Sequence, residues 1–185
     1  MRSIGLMLFI YILFTPSAFA VEYVTLETNR GNITLQLDDE KAPITVANFL
    51  GYIDEGFYNQ TVFHRVIPNF MIQGGGFTTD LKKKTGRAPI KNEADNGLKN
   101  LRGTIAMART SVVDSATSEF FINHVDNRML DHKVRDYGYA VFGKVIAGMD
   151  VVDNIAATKT VRKNALFVNL PESEILVKRI VRGKP

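Results

Sequence analysis

Residues 63–75 read Phe63-His64-Arg65-Val66-Ile67-Pro68-Asn69-Phe70-Met71-Ile72-Gln73-Gly74-Gly75. Two short apolar runs flank a Pro-Asn break, the pattern of two strands joined by a turn. Alternate side chains of a strand share a face, which places Phe63, Arg65 and Ile67 together and sets Phe70 and Ile72 opposite Met71 and Gln73. An arginine thus projects from a face that also carries large apolar residues. Burying a charge without partners is costly. Residue physics alone leaves two readings open: a guanidinium at a sheet rim paired with a carboxylate, or one held there for chemistry.

The flanking sequence repeats the strand signal. Glu22–Thr28 and Asn32–Asp38 alternate apolar and polar residues around Asn29-Arg30-Gly31, which predicts a β-hairpin with one buried face. Pro43 suits the first turn of a helix. Val46, Phe49, Leu50 and Ile53 follow at helical spacing, and Gly56 marks a stop. Further short runs lie at 62–67, 70–73, 103–108, 119–122 and 140–146. Met149, Val152 and Ile155 suggest a second helix, and 174–181 alternates again. Many short strands with two helices predict a mainly β fold, a closed or nearly closed antiparallel barrel with helical caps. The connection Gly74–Leu101 is long for a compact domain, and such loops tend to be functional or mobile.

The chain has 185 residues, enough for one domain with a substantial core. Its first twenty residues, MRSIGLMLFIYILFTPSAFA, place Arg2 before an apolar run from Ile4 to Phe14, then Pro16 and the small-residue triplet Ala18-Phe19-Ala20. This is the pattern of a signal peptide, cleaved to leave a mature domain over 21–185. The run is too short for a bilayer span of about 20 residues, so no membrane association is expected once the signal is removed. Net charge is +4, falling to about +3 without Arg2. That mild excess gives no reason to propose a nucleic acid, and Lys82-Lys83-Lys84 reads as a solvated loop.

Several chemistries lack their residues. With no cysteine there are no disulfides, thiol nucleophiles or Cys-ligated metals. The three histidines, His64, His124 and His132, show no metal-site spacing, and no HExxH, GxSxG or P-loop occurs. Neither a metal nor a cofactor is expected.

The segment FHRVIPNFMIQGG resembles the signature of the cyclophilins, FHR followed by FMxQGG. Met107-Ala108, Ser118-Glu119-Phe120-Phe121-Ile122 and Val141-Phe142-Gly143-Lys144-Val145 are similar to further family segments, in order. The resemblance covers about 21–183 and is closest to the periplasmic bacterial members. It implies a closed eight-stranded antiparallel β-barrel capped by two helices, with an active site in an outer groove. It also implies peptidyl-prolyl cis/trans isomerase activity on proline-containing unfolded or flexible polypeptides, assisting the folding of exported proteins. The competing reading is a peptide-binding chaperone in which isomerisation is secondary. The family implies a monomer, and the location is exported, or periplasmic in a Gram-negative bacterium.

Carried over position by position, the resemblance makes Arg65 catalytic and Phe70, Met71 and Phe121 the proline pocket, with Leu130 at its edge. Gln73 becomes a neighbouring hydrogen-bonding residue, His64 a residue beside Arg65, and Ala108 and Arg109 the backbone that pairs with peptide. Four positions depart from common family patterns. Arg109 stands for Asn. Glu119 stands for Gln and is expected to pair with Arg65 or Arg109. Met129 stands for Trp and Tyr139 for His, both at the pocket rim.

Overall fold

A computed structural model describes residues 22–183; the expected signal peptide, residues 1–20, lies outside them. The predicted hairpin is β1 (Tyr23–Thr28) and β2 (Gly31–Leu37). Its register runs from Tyr23 opposite Gln36 to Thr28 opposite Gly31. Val24, Leu26, Ile33 and Leu35 are fully buried, as alternation requires. The first helix, α1 (Pro43–Asp54), opens on its proline and ends before Gly56 at φ +65°. No side chain of its own caps it. Glu93, from the long connection, instead accepts from the Ile44 and Thr45 amides at 3.1 and 2.8 Å. A carboxylate there satisfies orphan N–H groups and complements the helix dipole.

Next come β3 (Thr61–Val62), β4 (Arg65–Ile67), β5 (Met71–Gly74), β6 (Thr104–Met107) and β7 (Phe120–Asn123). A 3₁₀ turn (Arg128–Leu130), β8 (Val141–Ala147), α2 (Met149–Ala156), β9 (Thr160–Val161), β10 (Leu170–Pro171) and β11 (Leu176–Arg182) complete the chain. Most predicted elements are present near their predicted bounds, but the run 62–67 is split between β3 and β4, and β9 and β10 have no counterpart in the sequence reading. The connection after β5 is fastened rather than free. Bridges join Thr61 to Thr78, Phe77 to Lys83 and Ile90 to Ala116, and the Arg87 amide donates to the Tyr52 hydroxyl at 2.6 Å.

The expected closed eight-stranded barrel needs correction. The main sheet has nine antiparallel strands in the order β3-β11-β1-β2-β8-β6-β7-β5-β4, and no ladder joins its two ends. It is a curled, open sheet whose end strands, β3 and β4, are continuous in the chain. The seam carries no ladder because only Phe63-His64 separate β3 from β4, which lie end to end; single bonds fasten it instead. The amides of Val62, Phe63 and Val66 donate to the carbonyls of Phe77, Ile175 and Asn169, each at 3.0 Å. The chain therefore leaves strand geometry at Phe63-His64. Phe63 enters the central core instead of sharing the face of Arg65.

Inside the curl, Phe49 of α1 packs edge-on against Phe120 and Phe142, with ring centroids 5.5 and 5.1 Å apart. Tyr58 adds contacts to Phe49 and Phe120. All four rings are buried. Because Phe49 joins the helix to two strands at once, Phe49→Ala is expected to cost about 3–5 kcal/mol. The check is a lowered denaturant midpoint at unchanged m-value; a midpoint within error of the unmodified protein would contradict this packing.

Candidate active site

The strands β4, β5, β7, β6 and β8 are adjacent, and their register aligns one row of residues. Arg65 stands opposite Gln73, Gln73 opposite Phe121, Phe121 opposite Ala106, and Ala106 opposite Val141. In the neighbouring row Ile67 faces Met71. These side chains leave the sheet on the side away from the core, where Met71, Ala106, Phe121 and Val141 form a second apolar cluster. Ile67, Phe70, Ala108, Leu130 and Tyr139 pack against it from the side. Phe70 thus joins Met71 and not Ile72. It belongs to the turn before β5, where Asn69 at φ +57° reverses the chain and strand alternation does not apply.

Arg65 is partly exposed above this cluster, and its Nη1 donates to Gln73 Oε1 at 3.2 Å. Among the described residues it forms no ion pair with a carboxylate, so the simple rim pairing does not hold. Burial lowers its pKa against the opposing influence of Tyr139. A guanidinium remains charged despite such a shift.

Gln73 continues the chain of contacts. Its Nε2 donates to Glu119 Oε2 at 2.9 Å, and His64 Nε2 lies 3.4 Å from the same oxygen. Burial alone would raise the Glu119 pKa. The hydrogen bond and charge of His64, the Gln73 donor and the Lys83 charge outweigh it, and the carboxyl sits below its ordinary value. Glu119 therefore meets Arg65 only through Gln73. His64 does not reach the groove. It is 6% exposed, stacked 4.6 Å from Phe77, with a buried Nδ1 that finds no partner.

Arg109 does not pair with Glu119 either. Its side chain is 4% exposed and bound to Asp136 at 2.9 Å, with the guanidinium 4.7 Å above the Tyr139 ring. The Ala108 amide is committed to the Glu119 carbonyl at 2.9 Å, which removes that N–H from any pairing with a peptide. Met129 is half-exposed and belongs to neither the core nor the groove cluster.

Sequence reasoning missed the polar frame under the groove. Asn127 Nδ2 donates to the Phe70 carbonyl at 2.8 Å and to Asn123 Oδ1 at 2.7 Å. Asn123 Nδ2 donates to Asn100 Oδ1, and the Asn100 side chain donates to the Leu130 carbonyl at 3.1 Å. Asp131 accepts from the Asn100 amide at 2.7 Å. All four residues are buried. The four-residue spacing of Asn123 and Asn127 beyond an apolar strand was the available signal.

A cavity of about 440 Å³ lies elsewhere, between the link from β2 to α1 and strands β6 and β8. It shares Leu98 and Val141 with the groove cluster, but none of the predicted site residues lines it. The groove presents the Arg65 guanidinium, the Gln73 amide and an apolar floor. Among the described residues no cluster of three metal-ligating side chains occurs, and no helix is long and apolar enough to cross a membrane.

Residues 23–179 match the model of the cyclophilin type peptidyl-prolyl cis-trans isomerase family. Peptidyl-prolyl cis-trans isomerase A of Dickeya dadantii is 57% identical over 166 residues, covering 89% of this chain and 87% of that protein. Isomerase B of Escherichia coli is 51% identical over 160 residues, covering 85% and 97%. The crystal structure of a Cryptosporidium parvum cyclophilin superposes with a TM-score of 0.78 at 26% identity, over 90% of this chain and 99% of that one. A second structure of that protein, determined in the presence of the dipeptide Ala-Pro, gives 0.76 at 28% identity. The relatives are named as isomerases, which favours catalysis over the chaperone reading. This chain belongs to the cyclophilin-type peptidyl-prolyl cis/trans isomerases, enzymes that act on proline-containing peptides.

Proposed function

We propose that the row Arg65-Gln73-Phe121 is where this isomerase turns the X-Pro bond. The observation that carries this reading is a half-buried guanidinium, free of any carboxylate, beside a fully formed apolar floor. Trans is preferred to cis at X-Pro by only about 0.5–1 kcal/mol, yet the barrier is about 18–20 kcal/mol because rotation breaks amide resonance. No bond is made or cleaved, so the reaction calls for no nucleophile and no proton relay. In the twisted state the proline nitrogen becomes pyramidal and regains its lone pair. A guanidinium aimed at that nitrogen binds the twisted state better than the planar one, which is the condition for rate enhancement. Phe70, Met71 and Phe121, edged by Leu130 and Tyr139, hold the proline ring and exclude water. Ala108, Arg109 and Glu119 then frame the groove, and His64 supports it through Glu119.

One charged hydrogen bond supplies about 1.5–3 kcal/mol. Arg65→Ala is therefore expected to lower catalytic efficiency roughly 10- to 1,000-fold, more through turnover than through affinity. Arg65→Lys recovers it only in part, because an ammonium lacks the planar fork. Phe121→Ala weakens binding and turnover together. Exchange NMR on a proline peptide reads both quantities; interconversion of the bound peptide by Arg65→Ala at the unmodified rate would remove Arg65 from the mechanism.

Glu119 supports the site as an ionised acceptor. Its folded pKa lies below the ordinary 4.5. The stability it contributes is complete above about pH 4.5 and is lost as pH falls through the lower, folded value. Glu119→Gln removes this titration. Urea midpoints at pH 7 and pH 3 are expected to fall less on acidification in the variant, and an equal fall would assign the acid sensitivity to other groups.

The N-terminal pattern supports export, with residues 21–185 as the mature domain; a monomeric state and a periplasmic location in a Gram-negative host rest on the resemblance to bacterial cyclophilins. N-terminal sequencing of protein from its native source is expected to read from Val21. Retention of Met1 would rule out cleavage.

A further inference from the structure

We propose that Arg109 is a specificity-determining residue, which fixes Tyr139 as a wall of the proline pocket and thereby limits the ring size the pocket accepts. The proposal rests on the reading of the Phe121 groove as the proline site. Arg109 follows Ala108 at the groove edge, where a side chain is free to point at substrate. It points instead into the loop before Tyr139. Its Nε donates to the Gly138 carbonyl, Nη1 to the Thr110 carbonyl and Nη2 to Asp136 Oδ1, each at 2.9 Å. The same Asp136 oxygen accepts from the Gly138 amide at 2.7 Å. One carboxylate oxygen thus ties the guanidinium and the loop backbone together.

The loop is held from its other side as well. Asn92 Nδ2 donates to the Gly138 carbonyl at 3.1 Å. Gly138 has φ +71°, and a Cβ there would lie 2.5 Å from the His132 nitrogen, so the backbone fold needs glycine. Tyr139 follows directly. Its amide donates to the Leu130 carbonyl at 3.0 Å. One ring face is covered by the Arg109 guanidinium at 4.7 Å, and the ring meets Phe121 edge-on at 5.7 Å and 78°. Tyr139 is therefore clamped between the buried arginine and the pocket floor. Only arginine stacks on a ring while its fork stays hydrogen-bonded in the same plane. A wall held in this way cannot retreat for a larger ring without breaking several contacts, and close packing makes that discriminating.

The test compares a peptide containing Ala-Pro with the same peptide carrying six-membered pipecolic acid in place of proline. Affinity and interconversion are read by exchange NMR. The unmodified protein is expected to favour proline. Arg109→Ala is expected to weaken proline-peptide binding about threefold to tenfold, the effect of a lost aromatic clamp, and to narrow the preference over pipecolic acid by a similar factor. Arg109→Lys should not restore it. Asp136→Asn, at a half-exposed position that folding tolerates more easily, should move the preference the same way by less. In a Tyr139→Ala background, Arg109→Ala should add nothing, because it acts through Tyr139. An unchanged ring preference in Arg109→Ala, or a further loss in the Tyr139→Ala background, overturns the proposal. In those cases Arg65→Ala would still slow interconversion. If Arg65→Ala is silent and the proline peptide does not bind, the groove reading itself fails and this proposal falls with it.

Discussion

Five adjacent strands of this sheet carry apolar side chains on both faces, and the site depends on that double burial. Phe120, Ile122 and Ile72 fill the curl, while Phe121 and Met71 floor the groove on the other side. A one-residue slip of β7 against β5 would exchange Phe121 for Phe120 or Ile122 and put the groove floor inside the core. Register here is therefore specified from both sides. The core fixes which residues can point outward, and the outward row then sets Arg65, Gln73 and Phe121 side by side. Strand pairing sets the row Arg65-Gln73-Phe121, while the turn of Phe70, the 3₁₀ turn of Leu130 and the loop before Tyr139 supply the groove's edges.

The charge arrangement follows from the same row. Arg65 is held by a neutral amide, and the nearest carboxylate is one residue further along, beyond Gln73. In the role proposed for Arg65, a direct ion pair would spend the guanidinium on a ground-state partner and lower its value to a developing lone pair. An ionised Glu119 can only accept hydrogen bonds, so Gln73 presents its NH₂ to Glu119 and its carbonyl oxygen to Arg65. The position of Arg65 is thus fixed without neutralising it. The buried Asn100–Asn123–Asn127–Asp131 frame does for the turn carbonyls what Gln73 does for Arg65: it satisfies groups that would otherwise be stranded under an apolar floor.

How much of this was legible in the sequence depends on the range of the interactions. The hairpin, both helices and most strands were readable because their signals are local: alternation, a first-turn proline, a stop glycine. The groove residues Arg65, Phe70, Met71, Gln73 and Phe121 were readable as family positions, and the structure brings them together. Closure was not readable. What fastens the seam is where the amides of Val62, Phe63 and Val66 find acceptors, and those acceptors lie 15, 112 and 103 residues away in the chain. The partners of Glu119 and Arg109 were equally hidden. Charge complementarity suggested that Glu119 pairs with Arg65 or Arg109, but complementarity without geometry does not choose among candidates. The structure gives Glu119 to Gln73 and His64, and Arg109 to Asp136.

The long connection between β5 and β6 shows why length alone is a poor guide to role. It reads as a loop free to move or to act. In the fold it works as a strap whose fastenings serve other elements: Glu93 caps α1, Asn92 holds the loop before Tyr139, and Asn100 anchors the turn that carries Leu130. Each fastening joins a core element or a groove wall to a segment that has no regular structure of its own. The strap thus couples the outer pocket to the body of the protein. It gives the walls of the groove a rigid support, which discrimination by shape would require.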